Sequence, residues 1–226
     1  MGSLFQKLAF QVFPYIALTV FVVGHGYRYY ADFYQWNSRS SELIDRDSLK
    51  VGITMFHWGI IFTFFGHFFG LLTPQDFLNK LGITSEIHEF VALYTGMLFG
   101  TMAFVGLLIL LKRRLLKPRV HAASSTNDVI VLILLVFVVF VGTYNSYVKR
   151  FDVLYTIAPW IRGIVTLTPD QSLMNPVPWS YKIHILLALT LLGFSPFTRL
   201  VHIWSIPVTY FLRPYISFRR RFVDIP

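Results

Sequence analysis

Five long apolar runs alternate along this chain with short segments that carry most of its charge. The runs fall at about 8–27, 52–72, 90–111, 129–148 and 183–206. Each is near the ~20 residues an α-helix needs to cross a bilayer. The third and fourth, FVALYTGMLFGTMAFVGLLILL and VIVLILLVFVVFVGTYNSYV, contain no charged side chain. The first holds Pro14, a single early charge at Lys7 and no small-residue cleavage site, so it reads as an uncleaved span rather than a signal peptide. The pattern predicts an all-α, polytopic membrane protein with five transmembrane helices. Residues 1–226 form one membrane domain, ending in a basic cytoplasmic tail at 207–226.

Composition sharpens this reading. The chain has 226 residues, 55% of them hydrophobic and only 14% charged, against about 25% charged in soluble domains. Its mean hydropathy is +0.58. There is no cysteine, which excludes disulfides, cysteine-ligated iron–sulfur clusters, zinc–thiolate sites and covalent CxxCH haem attachment. No GxGxxG or GxxxxGK[ST] appears, so nucleotide and flavin sites lack support.

The net charge of +9 would suggest nucleic acid in a soluble protein. Here the basic residues sort between loops instead, and no nucleic-acid partner is expected. Arg28, Arg39, Arg46, Lys50, Lys112, Arg113, Arg114, Lys117, Arg119, Arg213, Arg219, Arg220 and Arg221 fall on one side. Only Lys7, Lys80, Lys149, Arg150, Arg162 and Lys182 fall on the other. The positive-inside rule then puts the N-terminus outside and the C-terminus inside the cell membrane. The outer loop from Phe151 to Lys182 contains TIAPWIRGIVTL, which is expected to lie along the membrane interface. NPVPWS then breaks any helix ahead of the fifth span.

Four histidines stand inside these spans: His57 and His67 in the second, His184 and His202 in the fifth. Ionisable residues at membrane depth are costly and mark function by default. His57 and His67, ten residues apart, share a broad helix face; His184 and His202, eighteen apart, align on an ideal helix. Spans two and five run antiparallel, so His57 pairs with His202 near the inner side and His67 with His184 near the outer side. Two such pairs would ligate two haems axially, leaving no open iron position and a role in electron transfer. The spacing is imperfect, because eighteen residues rise about 27 Å and ten about 15 Å. A kink at Pro196 is expected to absorb part of the difference. Gly66 and Gly70 leave room beside His67 for a flat macrocycle, and Phe62, Phe64, Phe65, Phe68 and Phe69 are expected to supply apolar packing. Arg199, Arg113 or Arg114 would pair with a propionate. Gly96 and Gly100 read as helix packing. His25, His121 and His88 first read as ordinary flank or loop residues.

At SSELIDR, FHWGIIFTFFGHFFGLLTP, LLKRRLLKPRV and FTRLVHIWSIPVTYFLRPY the chain resembles the cytochrome b (gamma) subunit of the membrane-bound respiratory nitrate reductase. The resemblance covers nearly the whole length. It implies two b-type haems, the inner on His57 and His202 and the outer on His67 and His184. It also implies menaquinol or ubiquinol as electron donor on the outer side. Two partners are implied on the cytoplasmic face: an iron–sulfur (beta) subunit and a molybdenum-cofactor catalytic (alpha) subunit that reduces nitrate. The family's quinol pocket often uses a lysine just before span three. Here that stretch reads ITSEIHEF and has none, leaving His88, Lys80 and Gly66 as the quinol-pocket candidates. The inner haem, beside the larger basic cluster, is expected to have the higher midpoint potential.

Two other readings compete. The same cytochrome role could serve a sulfur, heterodisulfide or nitrite-oxidising complex, since the partner's catalytic subunit decides the reaction. A haem-free anchor or a histidine-based proton channel is the other. It is weakened because the acidic residues all lie in loops or flanks.

Overall fold

A computed structural model describes residues 4–31, 47–148 and 151–204 of the chain. Five of its helices are long and apolar enough to cross a membrane. In hydrocarbon, each backbone N–H and C=O must find a partner within its own segment, which a helix alone provides for a single span. The spanning helices are α1 (Leu4–Ala31), α2 (Asp47–Leu72), α4 (Ser85–Leu116), α6 (Thr126–Val148) and α8 (Trp179–Phe194), the last extended to Phe197 by a short 3-10 turn. Three short helices join them: α3 (Gln75–Lys80), α5 (Pro118–Ala122) and α7 (Ile157–Val165). The basic tail at 207–226, with Arg213 and Arg219 to Arg221, lies outside the described residues, as do Arg39, Arg46, Lys149 and Arg150.

Local sequence sets the helix ends. Thr84 caps α4 by accepting from the Ile87 N–H. At α6, Ser125 and Asp128 form a reciprocal capping box. The Ser125 N–H donates to Asp128 Oδ2 at 2.9 Å, and the Asp128 N–H donates to Ser125 Oγ at 3.3 Å. Two orphan amides are thereby satisfied where the apolar run begins.

Small residues bring the spans together. A Cβ on Gly59 would stand 2.5 Å from Ala103 N and 2.7 Å from Phe99 O. A Cβ on Gly106 would stand 2.5 Å from Phe56 N. The α2 and α4 backbones therefore touch, the close approach that small residues permit in membranes. Gly96 and Gly100 do pack helices, as their spacing predicts, against Ser146 and Thr143 of α6. The main core joins Phe56, Ala103, Leu107, Leu135, Val139 and Leu200. Large side chains on the outer faces, such as Phe64, Phe65 and Phe69, stay exposed as lipid-facing residues should.

The segment from Phe151 to Lys182 packs back on the bundle. In helix α7, Ile157, Ala158, Trp160 and Ile164 are buried. Trp160 Nε1 donates to Phe10 O at 2.9 Å, and Tyr15 Oη donates to Ile164 O at 3.2 Å. Its apolar face covers the first span rather than lipid. Arg162 meanwhile reaches the end of α2, donating to Leu71 O at 3.1 Å.

Candidate functional site: two histidine pairs

The four histidines meet as two pairs. His57 faces His202 with ring centres 6.1 Å apart and planes inclined at 53°. His67 faces His184, also at 6.1 Å, with planes inclined at 39°. In each ring Nδ1 lies against a backbone carbonyl. His57 donates to Ile53 O at 2.9 Å, His67 to Thr63 O at 2.7 Å, His184 to Val138 O at 3.0 Å and His202 to Arg199 O at 2.5 Å. A carbonyl only accepts, so Nδ1 carries the proton and Nε2 keeps its lone pair in the neutral ring. This is the arrangement that orients a metal-binding imidazole.

The separation is informative. Two imidazoles bound through Nε2 on opposite sides of one metal, at about 2.0 Å per bond with each ring centre about 1.1 Å further back, stand about 6 Å apart. Both pairs have that spacing. Gly66, next to His67, borders open space: a Cβ there would meet no atom within 4 Å. Among the described residues no group of three or more histidine, cysteine or acidic side chains could hold an ion. The donor set is thus two imidazoles per site, which fits an axially ligated macrocycle supplying the remaining bonds itself.

The fifth span is where the structure corrects the sequence reading. It is not one helix over 183–206. The helix starts at Trp179 and ends at Phe194; Ser195–Phe197 and Arg199–Ile203 are separate 3-10 turns. Thr198 between them is extended, at φ −127° and ψ 179°. Pro196 cannot donate a backbone hydrogen bond. Ser195 before it stays helical, at φ −55° and ψ −37°, and Thr198 is the residue that leaves the helical region. His202 meets His57 from beyond this break, not from a continuous helix.

The quinol-pocket candidates are spread around the C-terminal end of α2. His88 lies beside it: a Cβ on Gly70 would stand 3.2 Å from His88 Nε2. Its Nδ1 pairs with Gln75 Oε1 at 3.1 Å, and Gln75 Nε2 donates to Ile83 O and Asn79 Oδ1. His88 therefore approaches α2 about one turn beyond His67. Lys80 is exposed at the end of α3.

Of the propionate candidates, Arg113 is buried. Arg199 Nε donates to Asp128 Oδ1. Arg114 Nη1 lies 3.2 Å from Asp128 Oδ2. Two of the three candidate arginines therefore converge on one buried carboxylate.

The family model for the nitrate reductase gamma subunit matches residues 6–221. The chain belongs to the nitrate reductase gamma subunit family. It is 39% identical to the nitrate reductase gamma chain of Bacillus subtilis (strain 168), covering 95% of this chain and 98% of that one. It is 35% identical to the respiratory nitrate reductase 1 gamma chain of Escherichia coli (strain K12), over 94% and 96%. A more distant likeness, 26% over 66% of this chain and 45% of the other, is to the cytochrome b-like subunit of the Hdr-like menaquinol oxidoreductase of Archaeoglobus fulgidus. The gamma subunit is thus part of an oxidoreductase complex of the respiratory nitrate reductase kind.

Two residues of this gamma subunit shape the pairs without standing out in the sequence. Gly142 of α6 backs His184: a Cβ there would stand 2.7 Å from His184 Cε1. Its signal is a lone glycine in VVFVGTY, amid bulky residues. Asp128 looks like a flank residue in sequence, yet it is 5% exposed; the S-x-x-D spacing before an apolar run is its signal. Gly142→Ala is expected to push the His184 ring aside and weaken retention of any group held by His67 and His184 by about 10-fold or more. Helix α6 itself should gain slightly, since alanine is the better helix former. Unchanged cofactor content and spectrum in that variant would count against the contact.

Proposed function

We propose that this gamma subunit is the quinol-oxidising cytochrome b subunit of a respiratory nitrate reductase, with two b-type haems. His57 and His202 hold the inner one, and His67 and His184 the outer one. The observation that carries this is the pair of matched 6.1 Å separations, each with Nδ1 committed to a carbonyl and Nε2 left to bind. A haem held by such a pair would supply one-electron transfer.

The chain's own groups do the rest. The four backbone carbonyls fix the ring tautomers and raise ligand basicity. The spanning helices exclude water along the path between the pairs. His88, beside Gly70 and near Gly66, accepts a proton from a quinol hydroxyl on the outer side, with Lys80 as the further basic group. Arg199, Arg113 and Arg114 give the inner end a positive field suited to propionates and to an electron-accepting partner. The basic inner loops receive an iron–sulfur (beta) subunit, and the molybdenum-cofactor (alpha) subunit reduces nitrate. The N-terminus is outside and the C-terminus inside the cell membrane, following the distribution of lysine and arginine.

A pyridine haemochrome assay on the detergent-purified complex, with this chain quantified alongside, tests the reading. Two haem b per chain are expected. A colourless protein would leave a membrane anchor, and a single haem would make one histidine pair structural.

A further inference from the structure

His202 differs from the other three histidines in one respect. It stands on a 3-10 turn, beyond the end of α8, and so lacks the support of a regular spanning helix. Its Nδ1 donates to the carbonyl of Arg199, three residues earlier. The same Arg199 sends its guanidinium to Asp128, in the first turn of α6. Asp128 is buried and fully engaged. Its Oδ2 accepts from the Ser125 N–H at 2.9 Å and faces Arg114 Nη1 at 3.2 Å, leaving Oδ1 for Arg199. Thr198 ties the turn from the other side, where Oγ1 donates to Ser195 O and accepts from the Leu200 N–H.

We propose that Asp128 is a positioning residue for His202: it anchors Arg199, whose backbone carbonyl then fixes the tautomer and direction of the His202 ring toward His57. A buried carboxylate held by a capping box is a rigid fixture, because the Ser125 N–H ahead of α6 holds its Oδ2. A charge-assisted bond from a guanidinium to it is among the stronger hydrogen bonds available. Removing one partner of a buried pair leaves an uncompensated charge and is strongly disruptive. The 3-10 segment, short and with poorer hydrogen-bond geometry than an α-helix, depends on such an external tie. Outer partners of ligand histidines typically contribute 10–100-fold to affinity, and Asp128 stands one bond further out, acting through Arg199.

The inference rests on the reading of His57 and His202 as a ligand pair, and the test separates the two. Asp128→Asn and Ser124→Ala variants of the whole complex are purified beside the native protein. Haem is counted, and the low-spin ferric EPR signals and midpoint potentials of the two sites are recorded. The relative orientation of two axial imidazoles governs such an EPR signal, so a tilt of His202 is read directly. Asp128→Asn is expected to shift the inner signal and potential and to weaken inner-haem retention by about 10-fold, with the outer haem unmoved. Ser124→Ala, which removes a hydroxyl bonded to Arg114 and Val120 at the same end and leaves the Asp128–Arg199 contact in place, is expected to keep the inner signal. If Asp128→Asn fails to assemble, Asp128→Glu keeps the charge and moves the carboxylate by one methylene, and a smaller shift of the same signal is expected.

An inner signal identical to the native one in the assembled Asp128 variant would overturn the proposal. So would an equal disturbance from Ser124→Ala, which would mark a general loss of structure at that end. Absence of haem from the native complex would instead remove the ligand reading itself.

Discussion

A His67→Ala variant is expected to carry one haem instead of two and to lose quinol oxidation. Alanine removes an axial nitrogen outright, and His57, the other histidine of α2, is committed to the inner pair. Quinol-dependent activity should fall by at least about 100-fold, the upper end of what loss of a mere outer partner costs. His202→Ala is expected to differ in kind. The outer pair of His67 and His184 stays intact, so quinol binding survives while electron delivery to the soluble partners fails. Haem content, quinol-dependent reduction of the remaining haem and nitrate-reducing activity, measured together, distinguish the two. If both variants keep two haems, the assignment of ligands is wrong. The distinction rests on geometry, since the pairs are built from two levels of α2 ten residues apart and from opposite sides of the break after Phe194.

Gly106→Val is expected to be the most damaging substitution away from the histidines. A Cβ at that position would stand 2.5 Å from Phe56 N and 2.9 Å from Gly52 O. Both contacts are backbone, so no side chain can turn aside to make room. Overpacking a tight interface costs about 1–3 kcal/mol and sometimes more. At about 2–4 °C per kcal/mol for a chain of this size, a fall of roughly 2–12 °C in the apparent Tm is expected. Phe56 immediately precedes His57, so a displaced α2 should also disturb the inner pair. Gly26→Ala is the control, because a Cβ at Gly26 meets nothing within 4 Å and alanine improves the helix. Equal stability for the Gly106 and Gly26 variants would show that α2 and α4 are not in backbone contact.

Much of this architecture was legible along the chain. The five spans follow from hydrophobic runs, because a bilayer forces every backbone group into local hydrogen bonds. The histidine pairing follows from parity, since two spans separated by two crossings must be antiparallel. The packing role of Gly96 and Gly100 also followed from spacing. The boundaries of α8 did not, because its start at Trp179 needs the preceding turn of Pro178 to be seen in space. The burial of α7 did not either: an amphipathic stretch can turn its apolar face to lipid or to protein, and only Phe10 and Tyr15 decide which.

The residues around the pairs divide in the same way. His57, His67, His184 and His202 declared themselves, because an ionisable side chain at membrane depth is conspicuous in sequence. Gly142 and Asp128 are ordinary in sequence, a glycine in a span and an acid in a loop. Their roles arise from what stands opposite, the ring of His184 in one case and the guanidinium of Arg199 in the other.

Sequence by itself determined the membrane class, the number of spans and which histidines could meet, since all three depend on periodicity and on the cost of burying polar groups. Only the tertiary structure decided how they meet. The helix break at Ser195–Pro196, the carbonyl behind each ring and the Asp128 anchor set distance and direction. Those quantities depend on contacts between residues far apart in the chain, which no local pattern encodes.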